Sequence, residues 1–199
     1  MTLKSLTSQV TLGMIRWIDC YAGENAELFH GPQRMDLVRS FPFLVMHLSV
    51  LAVIWVGWSW TAVSVALAFY LVRMFFITGF YHRYFSHRTY RTSRAGQLAL
   101  ALLGATCVQR GPLWWAAHHR LHHQRSDEED DVHSPIQHGF LWSHIGWITS
   151  KSNFPTRLDV VPDLARYPEL RFLDRFDTLI PIGLITGMGF LGGWLRVHY

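Results

Sequence analysis

Two apolar segments of bilayer length lie end to end between residues 41 and 81. The first, FPFLVMHLSVLAVIWVGWSW (residues 41–60), carries no Asp, Glu, Lys or Arg; the second, TAVSVALAFYLVRMFFITGFY (61–81), carries Arg73 alone. A hydrocarbon core about 30 Å thick takes roughly 20 helical residues to cross. Inside it every backbone polar group must be satisfied within the segment, so an isolated apolar 20-mer of this kind is a helix. The pattern predicts a transmembrane hairpin turning around Trp58–Thr61. A third span is expected at residues 178–195, TLIPIGLITGMGFLGGWL, with Gly and Pro at a frequency that membrane helices tolerate. The mean hydropathy of +0.13 fits a chain that is partly embedded and partly polar.

The predicted fold class is therefore an all-α integral membrane protein. Its expected parts are an N-terminal amphipathic, cytoplasmic segment (1–40), the hairpin (41–81), a cytoplasmic histidine-rich helical cap (82–177), and the third span with the C-terminus (178–199). In the first part, Leu3, Leu6, Val10, Met14, Trp17, Ile18 and Tyr21 recur at helical spacing, as in a helix lying on a membrane surface or packed on the rest of the protein. Residues 5–15 are too polar for the apolar core of a signal peptide. Lys4, Arg16, Arg34 and Arg39 precede the first span; Arg83, Arg88, Arg91, Arg94, Arg110, Arg120 and Arg125 follow the second; the hairpin tip has none. That asymmetry places both basic regions in the cytoplasm. It also accounts for the net charge of +4 without a nucleic-acid partner. Residues 95–108 are apolar but short, and are expected to lie at the interface or against the cytoplasmic ends of the spans. Cys20 and Cys107 read as packing residues, not as a disulfide or redox pair.

Six of the twelve histidines fall in two short clusters beside these segments, HRYFSH (His82 to His87) and HHRLHH (His118 to His123). On a helix, residues three and four apart share a face, so His119, His122 and His123 are expected to converge, with His118 about 100° away. His82 and His87 are five apart, about 140° around an ideal helix, and meet one site only if the helix ends or distorts between them. Isolated histidines such as His30, His47 and His198 read as ordinary surface or core residues. Imidazole suits Zn, Cu, Fe and Ni. A structural zinc needs four ligands, and the number of histidines exceeds one such site. The soluble di-iron bundle requires Glu and ExxH helices that this sequence lacks. An all-histidine di-iron site at a membrane surface remains.

The stretches GFYHRYFSHRTY, GPLWWAAHHRLHH and DVHSPIQHGFLWSHIGW resemble the membrane fatty acid desaturases, in particular the bacterial acyl-CoA delta-9 (stearoyl-CoA type) group, over most of residues 35–178. The resemblance implies a di-iron (Fe2+) centre held by three histidine boxes. His82 and His87 match the first box and His119, His122 and His123 the second. No catalytic residue beyond the metal ligands is implied. The expected reaction introduces a cis double bond into a saturated acyl chain, using O2 and electrons from an external ferredoxin- or cytochrome b5-like donor. The substrate is acyl-CoA, another acyl thioester or an acyl lipid, in contact with membrane lipid. Head-group contacts are expected from Arg120, Arg125 or Lys151, because Ala116, Ala117 and His118 stand where animal members carry charged residues. Asp127, Glu128, Asp130 and Asp131 are the nearest acceptors for free ring nitrogens. The family's third box, another HxxHH, has no counterpart in these 199 residues. His118, His133, His138 and His144 are the possible substitutes or supports. The expectation is a C-terminally truncated member; the alternatives are an inactive membrane metal-binding remnant and a related histidine-box hydroxylase.

Overall fold

A computed structural model describes residues 3–23 and 33–198. His30 lies outside the described residues, as do the side chains of Leu3, Leu6 and His198. The elements are α1 (Leu3–Ile15), α2 (Leu37–Ser49), α3 (Val53–Val56), α4 (Trp60–Phe75), a π-helical segment (Phe76–Ser86), α5 (Arg94–Ala105), α6 (Pro112–Gln124), α7 (Pro135–His138), α8 (Pro162–Ala165), α9 (Pro168–Arg175) and α10 (Leu179–His198). The protein is all-α; among the described residues the one β-type pairing is an isolated bridge between Met35 and Ser150.

Two helical stretches are long and apolar enough to cross a membrane, Leu37–Val56 with 20 residues and Trp60–Ser86 with 27. Only 11% and 0% of their most apolar windows are buried inside the protein, so the solvent for these faces is lipid. The first is capped by Asp36, whose carboxylate accepts the Arg39 N–H at 3.0 Å. Pro42, inside α2, has no N–H for the Val38 carbonyl one turn back. The Trp17 indole N–H takes that carbonyl at 2.8 Å and ties the N-terminal segment to the span. Gly13 of α1 also packs closely on Val38, while Val10 and Met14 remain exposed.

The break between the spans falls at residues 57–59, slightly earlier than predicted. Gly57 adopts φ +79°, a left-handed conformation open to glycine, and Ser59 caps α4 by accepting the Ala62 N–H at 3.1 Å. The second span does not end at residue 81, as the polarity of HRYFSH suggested. It runs on to Ser86 with π-type hydrogen bonding, because Tyr81, Tyr84, Phe85 and Ser86 are buried and its backbone stays satisfied. The third predicted segment is helical as α10, and it reaches span length together with α9, from which it bends by 65°.

The core lies at the end of the second span. Tyr81, Phe85, Leu113, Ala116, Ala117, Val161, Leu164 and Leu170 are fully buried there. Ala116 and Ala117 are thus the close-packed face of α6. The 12-residue α5 is about 18 Å long, too short to span. It packs Gln97, Ala101, Gly104 and Ala105 inward, with Gln97 accepting the Tyr84 hydroxyl at 3.1 Å. A Cβ on Gly104 would sit 2.1 Å from the Tyr81 ring, so this glycine sets how closely α5 approaches the π segment. The start of α6 is held by buried Asp174. Its Oδ1 accepts the N–H groups of Leu113 and Trp114, each at 2.8 Å; its Oδ2 accepts the hydroxyls of Tyr21 at 2.8 Å and Thr156 at 2.7 Å. Both cysteines are free, Cys20 buried and Cys107 half-buried.

Two substitutions test this packing. Gly104→Ala is expected to cost about 1–3 kcal/mol, the range for overpacking a filled core. Asp174→Ala strands two buried N–H donors at the start of α6 and is expected to cost about 3 kcal/mol. Denaturant titration of both variants in detergent, followed by circular dichroism, measures the losses.

Candidate metal centre

The two histidine clusters meet. Ring nitrogens of His82, His87, His119 and His123 all lie within 4.8 Å of one another. His82 and His119 are half-buried, and His87 and His123 are exposed. The π segment is what brings the first pair together. The His87 N–H donates to the His82 carbonyl at 3.1 Å, an i→i+5 bond, so residues five apart fall nearly one turn apart instead of on diverging faces. The segment ends at Arg88, which takes φ +54° and closes the turn with its N–H on the Tyr84 carbonyl at 3.1 Å.

On α6, His119 and His123 are spaced by four and share a face. The Trp115 indole stacks on His119 with ring centroids 4.6 Å apart and an interplanar angle of 25°. Burial holds His119 neutral, with its pKa pushed down to about 3, helped by the neighbouring imidazoles. His123 is lowered for the same reasons, burial first and then His87 and His122. Neutral rings present the lone pairs that a metal requires.

The donor set fits a cation. His87 Nε2 is 3.2 Å from both His82 Nε2 and His119 Nε2. A neutral ring nitrogen carries either one proton or one lone pair, so it cannot form a good hydrogen bond to both. A cation among these nitrogens satisfies all of them, and N···N separations of about 3.4 Å follow from tetrahedral M–N bonds of 2.0–2.1 Å.

The remaining predicted residues are placed elsewhere. His122 turns away from the four. Its Nδ1 is 3.0 Å from Asp131, and its ring is 5.1 Å from that of His133. Asp131 is 3% exposed. Burial pushes its carboxyl up, but the N–H of Asp127, the His122 ring and the N–H of His133 more than offset this and hold it below the ordinary value. Of the acidic run, Asp131 therefore supports a histidine. Asp127 braces it from the backbone at 3.0 Å, Glu128 is exposed, and Asp130 pairs with Arg125. His118 packs on Trp114 and Trp147. Its Nε2 is sealed with no hydrogen-bond partner, and burial pushes its pKa down to about 3. His133 packs on Trp147, 4.8 Å between centroids. His138 and His144 are exposed beside Trp142 and Phe140, away from the four. His47 is a surface residue near the Phe43 carbonyl.

The three basic residues expected at a head group also separate. Arg120 points inward and donates to Asp163 and to three backbone carbonyls, Arg125 is paired with Asp130, and Lys151 is exposed. Asp163 and Asp174 escaped notice in the sequence because each acts across a separation of 43 or 60 residues with no local motif. The Gly111–Pro112 pair did announce a helix start at this point.

Substitution of His82, His87, His119 or His123 by alanine is expected to lower Co2+ affinity by more than the roughly 10–100-fold that loss of an outer partner costs. His138→Ala and His144→Ala are expected to leave it unchanged. Titration of the detergent-solubilised protein, read by cobalt absorbance, checks both.

Residues 58–198 match the model of the fatty acid desaturase family. Curated relatives include an sn-1 stearoyl-lipid 9-desaturase of Anabaena variabilis, 37% identical over 166 residues, covering 81% of this chain and 60% of that protein. An sn-2 palmitoyl-lipid 9-desaturase of Nostoc sp. (strain 36) is 37% identical over 123 residues, covering 60% of this chain and 43% of that protein. A delta-9 acyl-lipid desaturase 2 of Arabidopsis thaliana is 34% identical over 165 residues, covering 81% and 53%. The chain spans about half the length of these relatives.

Proposed function

Because the chain belongs to the fatty acid desaturase family, we propose that it builds the membrane-end part of a di-iron centre that desaturates acyl chains carried on membrane lipids. The observation that carries this reading is the convergence of His82, His87, His119 and His123 at the end of a 27-residue apolar span. These four residues would hold one iron. His122, with Nδ1 engaged by Asp131, keeps Nε2 as its metal-binding nitrogen and would belong to the second. Carboxylate–histidine pairs of this kind orient ring ligands in many metal sites. Bound iron supplies the oxidising power, with O2 as oxidant: CH2–CH2 becomes CH=CH, and two protons and two external electrons complete the reduction of O2 to two waters. A ferredoxin- or cytochrome b5-like protein is the proposed donor. The chain's own residues fix the imidazoles, hold His119 neutral through burial and bring the cluster to the bilayer surface where an acyl chain is within reach.

A lipid-linked substrate is favoured over the coenzyme A ester that the sequence motifs first suggested. The relatives above are named for stearoyl-lipid, palmitoyl-lipid and acyl-lipid substrates. Arg120 and Arg125, two of the three cations proposed for a charged head group, already have acidic partners within the protein. The cluster of Arg residues around the centre supports a cytoplasmic placement for it.

The test supplies saturated acyl chains to a host producing the protein and follows the double bond in separated lipid and acyl-CoA pools. With a third HxxHH box supplied on a separate fragment, unsaturated chains are expected first in glycerolipid, and His119→Ala is expected to abolish them. Product appearing first on coenzyme A overturns the substrate class. No product in any pool, with the protein present and iron-loaded, overturns desaturation by this chain.

A further inference from the structure

Arg120 follows His119 on α6, and its guanidinium points into the protein. All five of its N–H donors have acceptors. Nε donates to the Ser86 carbonyl at 3.0 Å and Nη2 to the Phe85 carbonyl at 3.0 Å. Nη1 donates to the Val160 carbonyl at 3.3 Å. The remaining two donors grip Asp163 end-on, Nη1 to Oδ1 at 2.7 Å and Nη2 to Oδ2 at 3.1 Å. Phe85 and Ser86 are the last residues of the π segment, where carbonyls run out of helical N–H partners, and both residues are buried. The helix that carries His119 and His123 therefore caps the segment that carries His82 and His87. Asp163 holds the fork in place and is also 3.6 Å from Arg88, the residue that terminates the π turn.

We propose that Arg120, oriented by Asp163, is the positioning residue that sets the separation between the His82–His87 pair and the His119–His123 pair. The geometry suits this role better than a head-group contact. A planar fork fixes direction as well as distance, and no donor is left for a substrate. A lysine has three donors on a flexible stem and cannot reach two carbonyls and a carboxylate in the same plane. The proposal rests on the metal reading above for its purpose, but the clamp itself is measurable without metal.

The experiment uses the detergent-solubilised protein with spin labels at the exposed positions of Arg83 and Gln124, together with Co2+ titration. In Arg120→Gln the distance between labels in metal-free protein is expected to lengthen and broaden. Co2+ affinity is expected to fall about 10–100-fold, the usual cost of removing an outer support, with a changed ligand-field spectrum and unchanged helix content. Asp163→Asn should reproduce this in weaker form, and Arg120→Lys should recover part of it. Arg94→Gln, which removes a bidentate bridge from α5 to Glu169 without touching either histidine segment, should change neither readout. If Arg120→Gln does not fold, Arg120→Lys and Asp163→Asn decide the matter by the same two readouts. An unchanged label distance overturns the clamp, whatever happens to Co2+. Failure of the unsubstituted protein to bind Co2+ overturns the metal reading instead, and leaves the clamp to be judged by the distances alone.

Discussion

The i→i+5 hydrogen bonding of Phe76–Ser86 is the constraint from which the centre follows. In an α-helix His82 and His87 would point about 140° apart, and one of them would face lipid or core. π-type turns are uncommon and usually short, so an 11-residue segment needs support from outside its own backbone. It has that support in its second half. Tyr81, Tyr84, Phe85 and Ser86 are buried, Ser86 Oγ donates back to the Tyr81 carbonyl at 2.9 Å, and Gly104 leaves room for the Tyr81 ring. The exit through Arg88 in a left-handed conformation is strained for a residue with a side chain. Such strain persists where surrounding contacts over-determine it, and here the Arg88 guanidinium lies 4.9 Å from the Tyr84 ring centre.

The second cluster obeys a different periodicity. HHRLHH invites a reading as HxxHH, three ligands on one face. The helix instead sorts it into two pairs spaced by four, His118 with His122 and His119 with His123, whose faces are about 100° apart. The second pair meets His82 and His87. The first pair faces Trp147, Asp131 and His133. A single turn of helix thus serves two environments: a solvent-facing convergence of imidazoles, and a half-buried one where Asp131 fixes a tautomer.

How much of this was readable beforehand depends on the range of the interactions. Segment length and charge gave the spans, because a bilayer acts on consecutive residues. Density and spacing gave the histidines. The boundaries slipped where a local signal competed with a distant partner. Polar HRYFSH looked like the end of a helix, and it continues because Tyr84, Phe85 and Ser86 within it are buried. Pro42 leaves the Val38 carbonyl without its helical N–H, and Trp17, 21 residues before Val38 in the N-terminal segment, takes that carbonyl. Arg120 looked like a surface cation, and its partners come from segments 34 to 43 residues away. A carboxylate that caps a helix 60 residues earlier in the chain, as Asp174 does, leaves no trace in any window of sequence.

Depth in the membrane ties these parts together. The helix from Trp60 to Ser86 has 27 residues, more than the roughly 20 that the hydrocarbon core takes. With Trp58 and Trp60 as the aromatic anchors at one interface, His82 lies about 33 Å along the axis, at the other. Span length thus ties the first histidine pair to the end of the second apolar helix. It cannot set the position of the second pair, which belongs to a helix wholly outside the spans. That position comes from side-chain and backbone contacts alone: Asp174 at the start of α6, and Arg120 with Asp163 beside the rings. A centre assembled from a lipid-anchored half and a protein-anchored half needs a rigid link between the two. The links between these halves run through the last carbonyls of the π segment and the Tyr81 ring against α5, which is why the buried core gathers at the end of the second span.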